Sequence, residues 1–166
     1  MSAARELLLL RHAKSSWDDA TLSDHERALN ARGLRDAPRI GAWLQAQGLL
    51  PDQLLSSDAR RARQTLALVA AELRPGPLSL EMDPRIYEAS LDALLAVLAG
   101  CRGERVLLVG HNPGMEALAA HLLSEPPAAV RTLPTAALVH IALPPDWTAL
   151  DRACGRLLAL QSPKTL

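Results

Sequence analysis

Leu7-Leu8-Leu9-Leu10-Arg11-His12 is the stretch that decides the fold. Four consecutive leucines read as a short strand buried on both faces, the kind found inside parallel sheets covered by helices. The run stops abruptly on a cation and an imidazole. Two further segments share that form. Leu54 to Ser57 follows the Pro51-Asp52 turn and ends in Ser56-Ser57, and Arg105 to Gly110 (RVLLVG) runs into His111-Asn112. Leu78 to Met82, Ala136 to Leu143 and Arg156 to Leu160 are the remaining strand candidates.

Helical patterns fall between these strands. One ends near Gln47 with Gly48 as its C′ residue, and Pro38 leaves its start open, since an interior proline kinks a helix. Arg61 to Leu73 and Leu91 to Leu98 have helical composition and spacing, with Ser90 as the N-cap of the second. Gly114 to Leu123 follows Asn112-Pro113, read as an N-cap with proline at the first helical position. Alternating strands and helices predict an α/β fold: a three-layer αβα sandwich around a mostly parallel sheet, in one domain spanning 1–166.

Composition narrows the function. The chain has 166 residues, enough to bury roughly two-thirds of its unfolded surface. Lys+Arg and Asp+Glu are 18 each and aromatic residues 2%, which argues against nucleic-acid binding by bulk charge. Cys101 and Cys154 form neither a disulfide framework nor a zinc motif. The Leu7–Leu10 run is too short for a signal-peptide core, and no stretch approaches the ~20 apolar residues of a membrane span. The expected setting is cytoplasmic, with neither membrane nor nucleic acid as partner.

The chemistry belongs at the strand ends. Ligands of open parallel sheets bind outside the carboxyl ends of the strands, at a topological switch point. His12 and His111 arrive there from separate strands, one beside Arg11. Arg60, Arg61 and Arg63 follow the second strand, and the planar arginine fork suits phosphate oxygens. A helix can aim only some of those three at one point, and spacing alone does not single out Arg61. No HExxH, paired aspartates or Walker loop is present, so no metal or cofactor is expected. A nucleophilic histidine that takes a phosphoryl group needs neither.

Three motifs in order carry a family resemblance: Leu9-Leu10-Arg11-His12-Ala13-Lys14-Ser15, Ser57-Asp58-Ala59-Arg60-Arg61-Ala62-Arg63-Gln64-Thr65, and Gly110-His111-Asn112-Pro113-Gly114. Together they resemble the histidine phosphatase superfamily, with its phosphoglycerate-mutase-like fold. The short length and Asp24-His25-Glu26-Arg27-Ala28-Leu29-Asn30 look most like the SixA-type phosphohistidine phosphatase branch. The resemblance implies His12 as the phosphorylated nucleophile, Arg11 and Arg61 as phosphoryl clamps, and His111 as a donor to the transferring group. It also implies Ser15 in the phosphate-binding set. Glu88, in Ile86-Tyr87-Glu88-Ala89-Ser90, stands where many members carry a general acid; the other reading is an exposed acid before a helix cap. His25, His121 and His140 receive no catalytic role.

Departures from the family pattern are Ala13 where many members have glycine, Asp18 where mutases tend to have asparagine, and Lys14. Between Arg61 and Glu88 lie 26 residues, and between Glu88 and His111 lie 22, leaving no room for a long lid. An open site suits phosphohistidine on a protein. The alternatives are a broad or small-molecule phosphomonoesterase using Glu88 and, less favoured, a non-catalytic phosphoprotein-binding module.

Overall fold

In the computed structural model, which describes residues 4–166, the strands are β1 (Arg5–Arg11), β2 (Gln53–Ser56), β3 (Leu80–Met82), β4 (Arg105–Gly110), β5 (Leu138–Leu143) and β6 (Arg156–Gln161). They form one sheet in the order β3-β2-β4-β1-β5-β6. Strands β3, β2, β4 and β1 are parallel, while β5 runs antiparallel to both β1 and β6. The mostly parallel sheet read from the sequence is present, with β5 reversed.

Four α-helices cover it: α1 (Ala31–Ala46), α2 (Arg60–Ala71), α3 (Leu91–Ala99) and α4 (Gly114–Leu122). The two-residue period of a strand divides the leucines of β1 between two cores. Leu8 and Leu10 pack with Ile40 and Leu44 of α1 and Leu66 and Val69 of α2. Leu7 and Leu9 pack with Leu94 and Leu98 of α3 and Leu118 and Leu122 of α4. All four leucines are at most 1% exposed, and each such burial contributes about 1.5–3 kcal/mol. The result is the three-layer αβα sandwich.

The structure settles the start of α1, which the sequence leaves open, and changes the cap of α4. Helix α1 begins well before Pro38, at Ala31, because the Asn30 side chain caps it by accepting from the Gly33 N–H at 2.9 Å. Pro38 sits inside the helix, and the carbonyl it cannot serve is that of Leu34, a residue on the exposed face. Asn112 does not cap α4: its Nδ2 donates to the Leu133 carbonyl at 3.0 Å, and Pro113 occupies the cap position. Ser90 does cap α3, accepting from the Ala93 N–H at 3.1 Å, and Gly48 follows α1 with φ 68°. The buried His140 bonds Glu6 at 3.2 Å, and both free cysteines are unbridged. Among the described residues no helix is long and apolar enough to cross a membrane.

Because β2, β4 and β1 are neighbours, their carboxyl ends meet along one edge of the sheet. The ladder continues one step beyond the strands, with the His12 N–H donating to the Gly110 carbonyl and the Ser57 N–H to the Val109 carbonyl, both at 3.0 Å. The segment after β1 is held down by α1, where Gly33 lies so close that a Cβ would collide with the Lys14 carbonyl. Gly33→Ala is therefore expected to lower stability by about 1–3 kcal/mol, since backbone meets side chain with little room to give. Urea unfolding of the variant checks this, and an unchanged midpoint would contradict the close approach.

Candidate active site

His12 leaves β1 and is 7% exposed. Its Nδ1 lies 2.7 Å from the Ala13 carbonyl, an acceptor only, so Nδ1 carries the proton and Nε2 keeps its lone pair. The Ala13 N–H in turn donates to Thr65 Oγ1 at 3.0 Å, pinning this turn to α2. Burial pushes the His12 pKa down to about 3, with His111, Arg61 and Arg11 adding charge repulsion. The imidazole is neutral at any ordinary pH, with Nδ1 protonated and Nε2 carrying the lone pair.

Arg61 of α2 meets that nitrogen, its Nε–H donating to His12 Nε2 at 3.4 Å. Of the three sequence-candidate arginines, it is the one buried here, at 5% exposure, because its position at the start of α2 points inward. Arg60 reaches the Glu26 carbonyl and Arg63 the Asp58 carbonyl, both exposed contacts. The far end of the Arg61 guanidinium is held by Asp24: Nη1 donates to the Asp24 carbonyl at 2.6 Å and Nη2 to Oδ2 at 3.0 Å. The Tyr87 hydroxyl donates to the same Oδ2 at 2.6 Å. That bond and the Arg61 pair hold the Asp24 carboxyl well below the usual carboxylate range.

His111 leaves β4 with its ring centroid 5.1 Å from that of His12. Its Nε2 lies 2.8 Å from Ser57 Oγ, which also accepts from the Ala59 N–H at 3.1 Å. Burial pushes its pKa down to about 4. Arg11 anchors one guanidinium nitrogen, donating from Nη1 to the Leu133 carbonyl at 2.8 Å. Its Nε is buried without a hydrogen-bond partner, as is His111 Nδ1. Two such nitrogens beside the Arg61 clamp fit an oxyanion, whose oxygens can accept from several donors at once.

A cavity of about 380 Å³ opens beside this cluster, lined by Asp24, Arg61, Tyr87, Glu88, His111 and Gly114 among others. Glu88 is on that wall, exposed, in the left-handed conformation with φ 52°. A non-glycine residue held there costs about 1–2 kcal/mol. Gly114 permits this close approach, since a Cβ on it would stand 2.9 Å from the Ala89 carbonyl. Ser15 is buried with its hydroxyl accepting from Arg27 Nη1 at 2.8 Å, so that oxygen is already engaged. Asp18 is exposed and its backbone N–H bonds Ser16 Oγ at 3.0 Å.

Sequence reasoning did not give Asp24, Tyr87, Ser57 or Arg27 individual roles. Ser57 opened the second motif, and Asp24 and Arg27 lay in the stretch that marked the branch. Tyr87 is the one tyrosine of the chain, and its ring stands edge-on to both His111 (5.4 Å) and His25 (4.9 Å). His25 thus lies beside the site, held between Glu26 and Asp58.

Comparison with known proteins agrees with this arrangement. The sequence profile of the histidine phosphatase superfamily (branch 1) matches residues 7–95. An uncharacterised chloroplastic protein of Arabidopsis thaliana is 35% identical over 131 residues; the match takes in 73% of this chain but 60% of the plant protein's length. An uncharacterised protein of Mycobacterium tuberculosis is 32% identical over 164 residues, covering 93% of this chain and 100% of its own. Among solved structures, SixA from Nakamurella multipartitia superposes with a TM-score of 0.82 at 28% identity over 98% of both chains. The protein histidine phosphatase SixA complexed with tungstate gives 0.79 at 26% identity, over 96% of this chain and 97% of that one. With the superfamily profile matched across more than half of its length, over the stretch that holds Arg11, His12 and Arg61, the chain belongs to the histidine phosphatase superfamily.

Proposed function

We propose that this phosphatase hydrolyses phosphohistidine on a protein through a covalent phosphoenzyme on His12. The observation that carries the reading is the neutral His12 imidazole, its Nδ1–H committed to the Ala13 carbonyl and its Nε2 lone pair beside Arg61. Attack of Nε2 on phosphorus forms one P–N bond as the P–N bond to the substrate imidazole breaks, and the leaving nitrogen takes a proton. Water then attacks the phosphorylated His12, the P–Nε2 bond breaks, and inorganic phosphate leaves. Two easier displacements replace one hard one.

The surrounding groups act on charge. Arg11 and Arg61 hold the equatorial oxygens of a loose phosphoryl transition state. In this reading the Ser57 hydroxyl, 2.8 Å away, donates to His111 Nε2, and the proton on Nδ1 is the one given to the transferring group. The substrate class follows from leaving-group chemistry. Nucleophile and leaving group are both imidazoles, so the first transfer is close to balanced and needs no strong acid. The resemblance to the protein histidine phosphatase SixA supports the same class. The phosphorylated protein is the partner in this reading, and no cofactor takes part.

A second reading rests on Glu88, whose strained backbone holds it on the cavity wall with His111 and Arg61. A phosphomonoesterase would use that carboxyl to protonate an alkoxide. Glu88→Gln separates the two. Loss of about 10²-fold or more in alkyl-phosphate turnover, with phosphohistidine turnover retained, would assign Glu88 to monoester chemistry. Equal retention of both would remove that second reading.

The direct test is phosphate release from a phosphohistidine-bearing protein by wild type and His12→Ala. Wild-type turnover that vanishes in the variant is expected. Good turnover of small phosphomonoesters with none on the phosphohistidine protein would sink the reading.

Neutral histidines also set the pH response. In the folded state His12 and His111 titrate at about 3 and about 4, against about 6.5 for a free imidazole. Below about pH 6.5 the unfolded chain binds protons that the folded chain refuses, so stability falls as pH is lowered. Nitrogen NMR should find both rings neutral from pH 8 to about 5. The urea midpoint should drop across that window, and drop less in His12→Gln. A His12 ring that titrates near 6.5 would contradict the burial argument.

A further inference from the structure

Asp24 is absent from the family roles carried onto this chain, yet it bonds Arg61, Tyr87 and Arg27 at once. Charge alone does not explain it. A carboxylate beside a phosphoryl pocket repels the substrate, so whatever it contributes comes from geometry.

Arg61 shows what that contribution is. A guanidinium has an end edge, Nη1 with Nη2, and a side edge that includes Nε. Asp24 takes the end edge twice, through its carbonyl at 2.6 Å and its Oδ2 at 3.0 Å. One contact is main chain and one is side chain, so the plane cannot rotate about either alone. The Nε side is left turned to His12 Nε2, 3.4 Å away. Asp24 therefore grips Arg61 without occupying the side that meets the reacting nitrogen.

The same carboxylate is braced from two other segments. Oδ2 accepts from the Tyr87 hydroxyl at 2.6 Å, next to Glu88 on the cavity wall. Oδ1 accepts from Arg27 Nε at 3.2 Å and pairs with its Nη2 at 3.1 Å. Arg27 is itself fixed by Ser15 Oγ at 2.8 Å and by the Ser16 carbonyl at 3.2 Å, with its guanidinium 3.5 Å above the Trp17 ring. One carboxylate thus joins the segment after β1, the start of α2 and the segment before α3.

We infer that Asp24 is a positioning residue: it holds the Arg61 guanidinium with its Nε side toward His12 and, through Tyr87, fixes the cavity wall that Glu88 lines. This rests on the phosphoryl-transfer reading above. Asp24 touches no reacting atom; it acts through Arg61.

The experiment measures tungstate affinity by calorimetry, steady-state turnover of an aryl phosphate and of a phosphohistidine protein, and melting temperature. The proteins are wild type, Asp24→Asn, Asp24→Ala, Arg61→Ala and the Asp24→Ala/Arg61→Ala double variant. Asp24→Ala is expected to weaken tungstate binding about tenfold or more, although it removes a negative charge, and to lower kcat by about 10²-fold. Asp24→Asn, which keeps an oxygen acceptor, falls between it and wild type, and the losses do not follow the melting temperatures. In the Arg61→Ala background, Asp24→Ala costs no more than about twofold further in tungstate affinity, because the residue it acts through is gone.

Equal or tighter tungstate binding by Asp24→Ala overturns the inference, as does an undiminished loss in the Arg61→Ala background. If Asp24→Ala does not fold, Asp24→Asn decides by the same sign: weaker binding supports positioning and tighter binding refutes it. Tungstate reports the clamp whatever the substrate. Loss of tungstate binding in the variant, without any phosphohistidine turnover by wild type, would therefore overturn the substrate reading and leave the role of Asp24 standing. Wild type that binds no tungstate overturns both.

Discussion

The site depends on one constraint: the His12 imidazole is buried, neutral and committed through Nδ1 to the carbonyl of the very next residue. A histidine free to rotate or to protonate would be neither oriented nor nucleophilic. Burial secures neutrality, because desolvation disfavours the cation. The local carbonyl secures the tautomer without a separate carboxylate partner. That economy depends on β1 stopping where it does, so that His12 leaves a fully buried strand and turns at once against α2.

Around that imidazole the chain concentrates charge that its overall composition hides. Lys+Arg and Asp+Glu balance at 18 each, yet Arg11, Arg61 and Arg27 gather at one edge of the sheet with Asp24 and Glu116 among them. Cations so close raise the cost of protonating His12 and His111. The same cations are placed to meet an oxyanion. Electrostatics that keep the nucleophile neutral and electrostatics that receive the substrate are therefore one arrangement. Asp18, one of the departures from the family pattern, is exposed.

Much of this was legible in the sequence, for identifiable reasons. An apolar run with no alternation, ended by Arg11-His12, fixes a buried strand and where its reactive end lies. The order of β2, β4 and β1 in the sheet was not readable, and that order is what brings Ser57, His111 and His12 together. Arg61 could not be separated from Arg60 and Arg63 by spacing, because helix phase depends on where α2 begins. Pro38 left the start of α1 open, and the cap at Asn30 is what places it at Ala31. Asp24 was invisible as a functional residue, since its partners lie 37 and 63 positions away in the chain. The left-handed backbone of Glu88 has no signal in a residue type that seldom adopts it.

The account's central claim is that phosphorus passes through His12 Nε2. The measurement that meets it most directly is rapid alkaline quenching during turnover, followed by peptide mass spectrometry of the enzyme. The account predicts an acid-labile, alkali-stable phosphoryl adduct on the peptide that begins in β1, assigned to His12 and formed as fast as phosphate is released. Steady phosphate release with no adduct on His12, or with the adduct on another residue, would contradict it.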